Sequence, residues 1–455
     1  MKKFDAIIIG TGQAGPSLAA SLANHGKKTA IIEKSFLGGT CVNVGCTPTK
    51  AYVASARRAY IASNSGEMGV KINGTVSVDL GTIKKRKDDL IENSRNGLEK
   101  MFGDNKNITL IRGTARFLDD HTVQVGDEIF KAENIYINVG ARPRIPEEFK
   151  NISYLTNESI LELEEVPEHL AIVGGGYIGL EFAQIFRRFG SKVTVLDRGG
   201  RLLKKEDPEF GEVLAQVFEE EGIDIRLDSN CIVAKERSGK IELSIDCRDE
   251  NTTLECTHLL IATGRIPNTS QLGLENTNVK LDKRGFIEVD DELKTSAQNI
   301  WALGDCNGKG AFTHTAYNDF QIVNSHLFET KKRKVSDRFT CYAIFTDPPL
   351  ARVGMNAKEI KEAGISAKIA SRPMAKIARA KEMGETTGMI KIFIEAKTNK
   401  ILGATFLGTG ADEYIHTVID QMYANQPFTV IRDAVHIHPT VSELIPTMLE
   451  NLENL

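Results

Sequence analysis

The sequence predicts an α/β chain with two Rossmann-like dinucleotide-binding domains, followed by a C-terminal α+β domain. Three observations carry that prediction. A strand, glycine turn, helix, strand and acid follow one another from Phe4 to Glu33, and the same grammar returns from Leu170 to Asp197. The stretch from about 334 to 455 alternates apolar strands such as Met389-Ile-Lys-Ile-Phe-Ile394 with helices and has no glycine fingerprint.

In the first unit, the apolar run Ala6–Ile9 leads into Gly10-Thr-Gly12-Gln-Ala-Gly15. Gly10 allows the tight turn, Gly12 lets the backbone approach a pyrophosphate, and Gly15 lets the helix pack closely on the strand. A small-residue helix follows to Ala23, then Lys28-Thr-Ala-Ile-Ile-Glu33, whose terminal acid can accept from a ribose hydroxyl. A glycine pattern alone is weak evidence. Strand, spacing and acid together favour a dinucleotide site over a plain turn.

The second unit reads Leu170-Ala-Ile-Val-Gly174-Gly-Gly176-Tyr-Ile-Gly179, and its second strand ends at Asp197. One chain therefore carries two dinucleotide sites. Each unit is answered later by an apolar strand ending in a glycine turn, Ile135–Gly140 for the first and Leu259–Gly264 for the second. A further strand ends in Gly304-Asp305, where the carboxylate can accept from sugar-like hydroxyls. Alone it would be an ordinary strand-end turn; after two fingerprints it reads as part of a cofactor site.

Between Glu33 and the next helix lies Gly38-Gly39-Thr40-Cys41-Val-Asn-Val-Gly-Cys46-Thr-Pro-Thr-Lys50. One strained helical turn can bridge cysteines at this spacing as a disulfide. Zinc sites usually add a second close pair or a nearby histidine, and none follows, so no metal site is predicted and a reversible disulfide is the better reading. A structural bridge closing so short a loop would restrict the unfolded chain little. Cys231, Cys247, Cys256, Cys306 and Cys341 have no comparable setting and read as core or surface residues.

Composition excludes more than it identifies. A formal charge of −4, with 41% hydrophobic and 26% charged residues, gives no electrostatic reason to expect nucleic acid. The basic run Lys84-Lys-Arg-Lys87 falls in a predicted amphipathic helix reaching Phe102 and is expected to be a solvated face. No apolar run is long enough to cross a bilayer, and no secretory leader is expected. Scattered cysteines without a secreted-scaffold spacing point to a reducing, cytoplasmic setting.

At the Cys41 motif the chain resembles the class I pyridine nucleotide-disulfide oxidoreductases, which include glutathione reductase, dihydrolipoamide dehydrogenase and mercuric reductase. The resemblance covers nearly the whole chain and is strongest toward the mercuric-reductase-like and dihydrolipoamide-dehydrogenase-like branch. It implies FAD as cofactor, NADH or NADPH as donor, a small-molecule substrate and a homodimer. It further implies that Cys41 attacks substrate, that Cys46 is the thiolate beside the flavin, and that Lys50 pairs with Glu181 in a mostly desolvated setting. A helix beginning near Thr47–Lys50 would lower a thiol pKa. The stretch His436-Ile-His438-Pro439-Thr440-Val-Ser-Glu443 matches the family's acid–base histidine and its orienting glutamate, which selects His438 over His436. Tyr177 falls where some members carry an aromatic over the nicotinamide pocket, although core packing explains it equally.

The resemblance also sets boundaries: an FAD domain from 1–148 plus 271–333, a nicotinamide domain at 149–270 and a dimerisation domain at 334–455. Asp197 favours NADH by repelling a 2′-phosphate, whereas Arg198, Arg201, Lys204 and Lys205 are cations able to bind one. The last cysteine is Cys341, so the C-terminal cysteine pair of mercuric reductases is missing and efficient mercuric ion reduction is not expected. The acceptor stays open among disulfides, including a lipoyl group, quinones and metal ions. A flavin-bound redox or metal sensor using the same cysteines is the alternative.

Overall fold

Short apolar runs such as Ala6–Ile9 and Ala30–Ile32 suit strands covered on both faces, as in a parallel sheet. The computed structural model describes residues 1–229, 231–237, 239–247 and 250–455 and places these runs in such a sheet. Five parallel strands lie in the order Ile108–Arg112, Thr29–Glu33, Lys2–Ile9, Glu128–Ile137 and Ile300–Ala302. Alternate side chains enter different cores: Ile7, Ile9 and Ile32 pack on one face, Ile8 and Ile31 on the other. Two antiparallel strands, Ala115–Asp119 and Thr122–Val125, extend the sheet from the start of Glu128–Ile137.

The second fingerprint heads a parallel sheet in the order Ile223–Arg226, Lys192–Leu196, His169–Val173 and His258–Ile261. An antiparallel meander, Cys231–Arg237, Lys240–Cys247 and Glu250–Cys256, lies beside it. The chain leaves the first sheet and returns along a two-stranded ribbon, Ala141–Pro143 against Arg265–Pro267. Gly140 and Gly264 immediately precede its two strands, so both answering turns feed one crossing point.

The C-terminal part is a six-stranded antiparallel sheet with its own core, which includes Ile390, Ile392, Ala404 and Phe406. Its hairpin Cys341–Ile344 and Leu350–Gly354 lies against the second unit, where Gln184 Nε2 donates to Asp347 O at 2.8 Å.

The predicted amphipathic helix runs Leu80–Asp104, capped by Asp79, whose side chain accepts from Thr82 N. Its basic run is a solvated face only in part: Lys85 and Arg86 are exposed, but Lys87 turns inward. Lys87 is fully buried, with Nζ 2.8 Å from Glu162 and 3.1 Å from Leu161 O, while Lys84 reaches Glu162 and Arg86 donates to Ala51 O. Helical periodicity turns Lys87 inward, and a nearby carboxylate makes its burial tolerable.

Candidate active site

Both glycine fingerprints are pressed against the strands that answer them. Gly10 has φ +105°, and a Cβ there would collide with the Asn138 carbonyl; Gly174 has φ +121° and stands in the same relation to the Ala262 carbonyl. At Gly176, by contrast, a Cβ would meet nothing within 4 Å, leaving the backbone open to a ligand.

The terminal acids are held in matching ways. Glu33 accepts from Thr11 N at 3.0 Å, Thr11 Oγ1 at 2.6 Å and Ser35 N at 2.9 Å. Asp197 accepts from Gly175 N and Gly199 N, each at 2.7 Å. In both units the acid thus ties the glycine turn to the chain just beyond its own strand. Arg198 is held away on Glu148 Oε1 at 2.7 Å.

The cysteines do not share a helical turn. Cys41 lies in the short helix Gly39–Asn43, the chain breaks at Val44 and Gly45, and Cys46 is the first residue of the helix Cys46–Asn64. The break is tight: a Cβ at Gly45 would come within 2.8 Å of Thr40 O. Both thiols are free, and Cys46 Sγ lies 3.2 Å from Thr313 Oγ1. The Cys46 thiol is brought down to about 6 chiefly by its hydrogen bond with Cys41, aided by Thr313 and the Lys50 charge against opposing burial. The same hydrogen bond, together with burial, raises Cys41. The two shifts run in opposite directions and favour the anion on Cys46 over Cys41.

Thr313 opens the sixteen-residue helix Thr313–Phe328, so Cys46 stands at the first turns of two helices, where partial positive charge favours an anion. Lys50, one turn along from Cys46, pairs with Glu181 Oε2 at 2.7 Å, and its ammonium lies 4.6 Å from the centre of the Phe345 ring. Glu181 is 3% exposed but Lys50 is 32%, so only the carboxylate is desolvated. The expected mostly desolvated pair is corrected to a half-open one, because Lys50 borders a cavity.

That cavity, about 1340 Å³, joins Gly10, Gly12 and Glu33 to Cys41, Cys46 and Lys50. Gly39, Thr40, Gly140, Glu181 and Asp305 line it too, as does Tyr177, packed 5.7 Å from Phe312. Gly15 lies behind the first turn, and Gly174, Gly176, Gly179, Asp197, Arg198 and Gly264 lie outside this cavity. Burial raises the Asp305 carboxyl, opposed by the Arg265 guanidinium, whose Nε is 3.7 Å away. Arg265 Nε is buried and has no hydrogen-bond partner among the described residues. A glycine cradle, a strand-end acid and a buried guanidinium N–H without a hydrogen bond in one cavity fit FAD, with its ribose, pyrophosphate and ring.

Sequence reasoning missed Arg265 and Thr313. The only local signal for Arg265 was its place directly after the Gly264 turn, and Thr313 had none.

His438 and Glu443 pair with each other but not with the cysteines. His438 Nδ1 is 2.8 Å from Glu443 Oε2, and the imidazole, 75% exposed, lies outside the cavity. Beside it, Val435 is 100% and Ile437 79% exposed. Among the remaining cysteines, Cys256 and Cys306 are buried and Cys341 half-buried; the side chains of Cys231 and Cys247 lie outside the described ones.

The sequence profile of the pyridine nucleotide-disulphide oxidoreductases matches residues 4–319, and that of their dimerisation domain matches residues 340–449. The chain belongs to the pyridine nucleotide-disulphide oxidoreductase family. It is 36% identical over 453 residues to the probable pyridine nucleotide-disulfide oxidoreductase RclA of Escherichia coli (strain K12), covering 97% of this chain and 98% of that protein. It is 34% identical to a mercuric reductase of Staphylococcus aureus, over 91% of this chain and 76% of the relative. A dihydrolipoyl dehydrogenase of Geobacillus stearothermophilus is 31% identical, over 97% and 94%. A solved Cu(II) complex of the HOCl-induced flavoprotein disulfide reductase RclA from Escherichia coli superposes with a TM-score of 0.89 at 34% identity, covering 99% of each chain. Membership of this family makes the chain an FAD-dependent oxidoreductase with a pyridine nucleotide as electron donor.

Proposed function

We propose that the chain carries two electrons from NADH or NADPH to the Cys41–Cys46 pair and on to a disulfide or a redox-active metal ion. The observation that carries this reading is the low-pKa Cys46 thiol, sharing one cavity with Lys50 and the first glycine cradle. FAD, when bound there, supplies the two-electron exchange between nicotinamide and the cysteine disulfide. Gly10, Gly12, Glu33, Asp305 and Arg265 would hold it. Gly174, Gly176, Gly179 and Asp197 would hold the nicotinamide nucleotide.

With the pair reduced, Cys41 passes its proton to His438 of the partner subunit and attacks one sulfur of a disulfide acceptor. A mixed disulfide forms, and the departing thiolate takes a proton from His438 of the partner subunit. Cys46 thiolate then attacks Cys41 Sγ, closing the Cys41–Cys46 bond and releasing the second substrate sulfur as a thiolate, which takes its proton from water. With Cu(II), two ions would each take one electron as the same bond closes. The solved RclA complex contains Cu(II), which favours including metal ions among the acceptors. The homodimer is supported by the dimerisation-domain match and by the exposed Val435 and Ile437 beside His438.

We assign the FAD domain to 1–148 and 271–333, the nicotinamide domain to 149–270 and the dimerisation domain to 334–455. Among the described residues no helix is long and apolar enough to cross a membrane, and dithiol turnover suits a reducing cytoplasm. The test is an acceptor panel of glutathione disulfide, lipoamide, a quinone, Cu(II) and Hg(II), run with each nucleotide. Sustained nucleotide oxidation with a disulfide or metal ion, lost in Cys41→Ser, supports the reading; one stoichiometric thiol change without turnover would make the chain a sensor.

A further inference from the structure

Resting on that reading, we infer that Lys204 is a specificity-determining residue that cancels the Asp197 charge and lets the nucleotide site accept NADPH as well as NADH. An acid at the end of the second strand ordinarily receives the ribose 2′-hydroxyl and repels a 2′-phosphate. In this chain that acid is already paired: Lys204 Nζ lies 2.7 Å from Asp197 Oδ1. The equivalent acid of the first unit, Glu33, is held only by Thr11 and Ser35, and no lysine or arginine forms an ion pair with it among the described residues. In both halves the acid accepts from the glycine turn, and among the described residues only the second half sets a cation on that acid.

Local structure holds the lysine in place. A Cβ at Gly199 would overlap the Lys204 side chain, so the glycine makes room for the lysine to lie across the loop. Leu203, just before it, has φ +48°, a left-handed conformation that is strained for a non-glycine residue, and both Leu202 and Leu203 are buried. Arg198 is tied to Glu148, and Arg201 Nη2 donates to the carbonyls of Lys204 and Glu206. Lys204 is therefore the cation placed on the acid, while its side chain remains 52% exposed and able to meet a ligand. A lysine ammonium has three donors, so it can hold Asp197 and still bind a 2′-phosphate.

The experiment is anaerobic stopped-flow reduction of the FAD-loaded enzyme by NADH and by NADPH, with no acceptor present. In the wild type the two nucleotides should reduce the flavin with efficiencies within about tenfold of each other. Lys204→Ala should lower NADPH efficiency by roughly 10- to 100-fold, through apparent affinity and not limiting rate, with NADH changed less than about threefold. Lys204→Arg should restore NADPH use, and Gly199→Ala, which displaces the lysine, should reproduce the Lys204→Ala pattern. An unchanged NADH-to-NADPH ratio in Lys204→Ala would overturn the role of Lys204 while leaving the oxidoreductase reading intact. A wild type that uses NADH alone would overturn it too. Flavin that neither nucleotide reduces would overturn both.

Discussion

Glu181 divides its carboxylate between two domains: Oε2 holds Lys50 at 2.7 Å, and Oε1 accepts the backbone N–H of Phe345 at 2.9 Å. One side chain of the second unit therefore fixes a cation beside Cys46 and the hairpin of the C-terminal sheet. Glu181→Ala removes both contacts and leaves Lys50 without its counter-ion. Because Lys50 is partly open to water, the expected loss is about 1–3 kcal/mol in stability, below that of a fully buried pair. Glu181→Gln should recover most of the stability but slow flavin reduction by nucleotide. Denaturant unfolding and stopped-flow rates measure the two effects separately, and equal stability of wild type and Ala variant would refute the tie.

Thr313 should tune the Cys46 thiolate. A Cys46 thiolate beside bound flavin should give the two-electron-reduced enzyme a long-wavelength charge-transfer absorbance, and because thiolate is present above the pKa that absorbance should fade as pH drops through about 6. Thr313→Val keeps the shape and removes the hydroxyl, which should move that midpoint upward by about one to two pH units. A midpoint that stays in place would mean the 3.2 Å contact does not stabilise the thiolate.

The two cysteines should be separable by substitution. Cys41→Ser should keep the long-wavelength band and lose turnover with disulfide acceptors, whereas Cys46→Ser should lose both. The reverse pattern in titrations of the reduced variants would exchange their roles.

His438 should act across the dimer. Its loss should slow acceptor reduction by ~10²–10⁴-fold while flavin reduction by nucleotide survives. Mixed dimers of Cys41→Ser and His438→Ala chains contain one intact site and should regain activity. If purified heterodimers stay inactive, or a monomer turns over at full rate, the shared site is wrong.

What could be read from the sequence was local in the chain. The glycine turns at Gly10 and Gly174, their strand-end acids and the Cys41–Cys46 spacing are each contained within a short window. Contacts made by distant segments were not legible. Thr313 is 267 positions from Cys46, and Arg265 reaches the cavity only because the ribbon brings it beside Ala141. Lys204 was visible as a nearby cation, but its placement on Asp197 depends on the left-handed turn at Leu203, which no residue type announced. Lys87 misled because four adjacent basic residues look solvated until helical periodicity turns one of them inward.

The ribbon of Ala141–Pro143 and Arg265–Pro267 brings the start and end of the second unit together, about one strand spacing apart. A segment whose ends meet in this way is a cassette. A relative's segment of matching ends could be spliced between Arg144 and Gly264 without lengthening any connection, provided it keeps an acid for Lys50 and partners for Asp347. Donor preference and acceptor chemistry would then be exchangeable as separate parts of one enzyme.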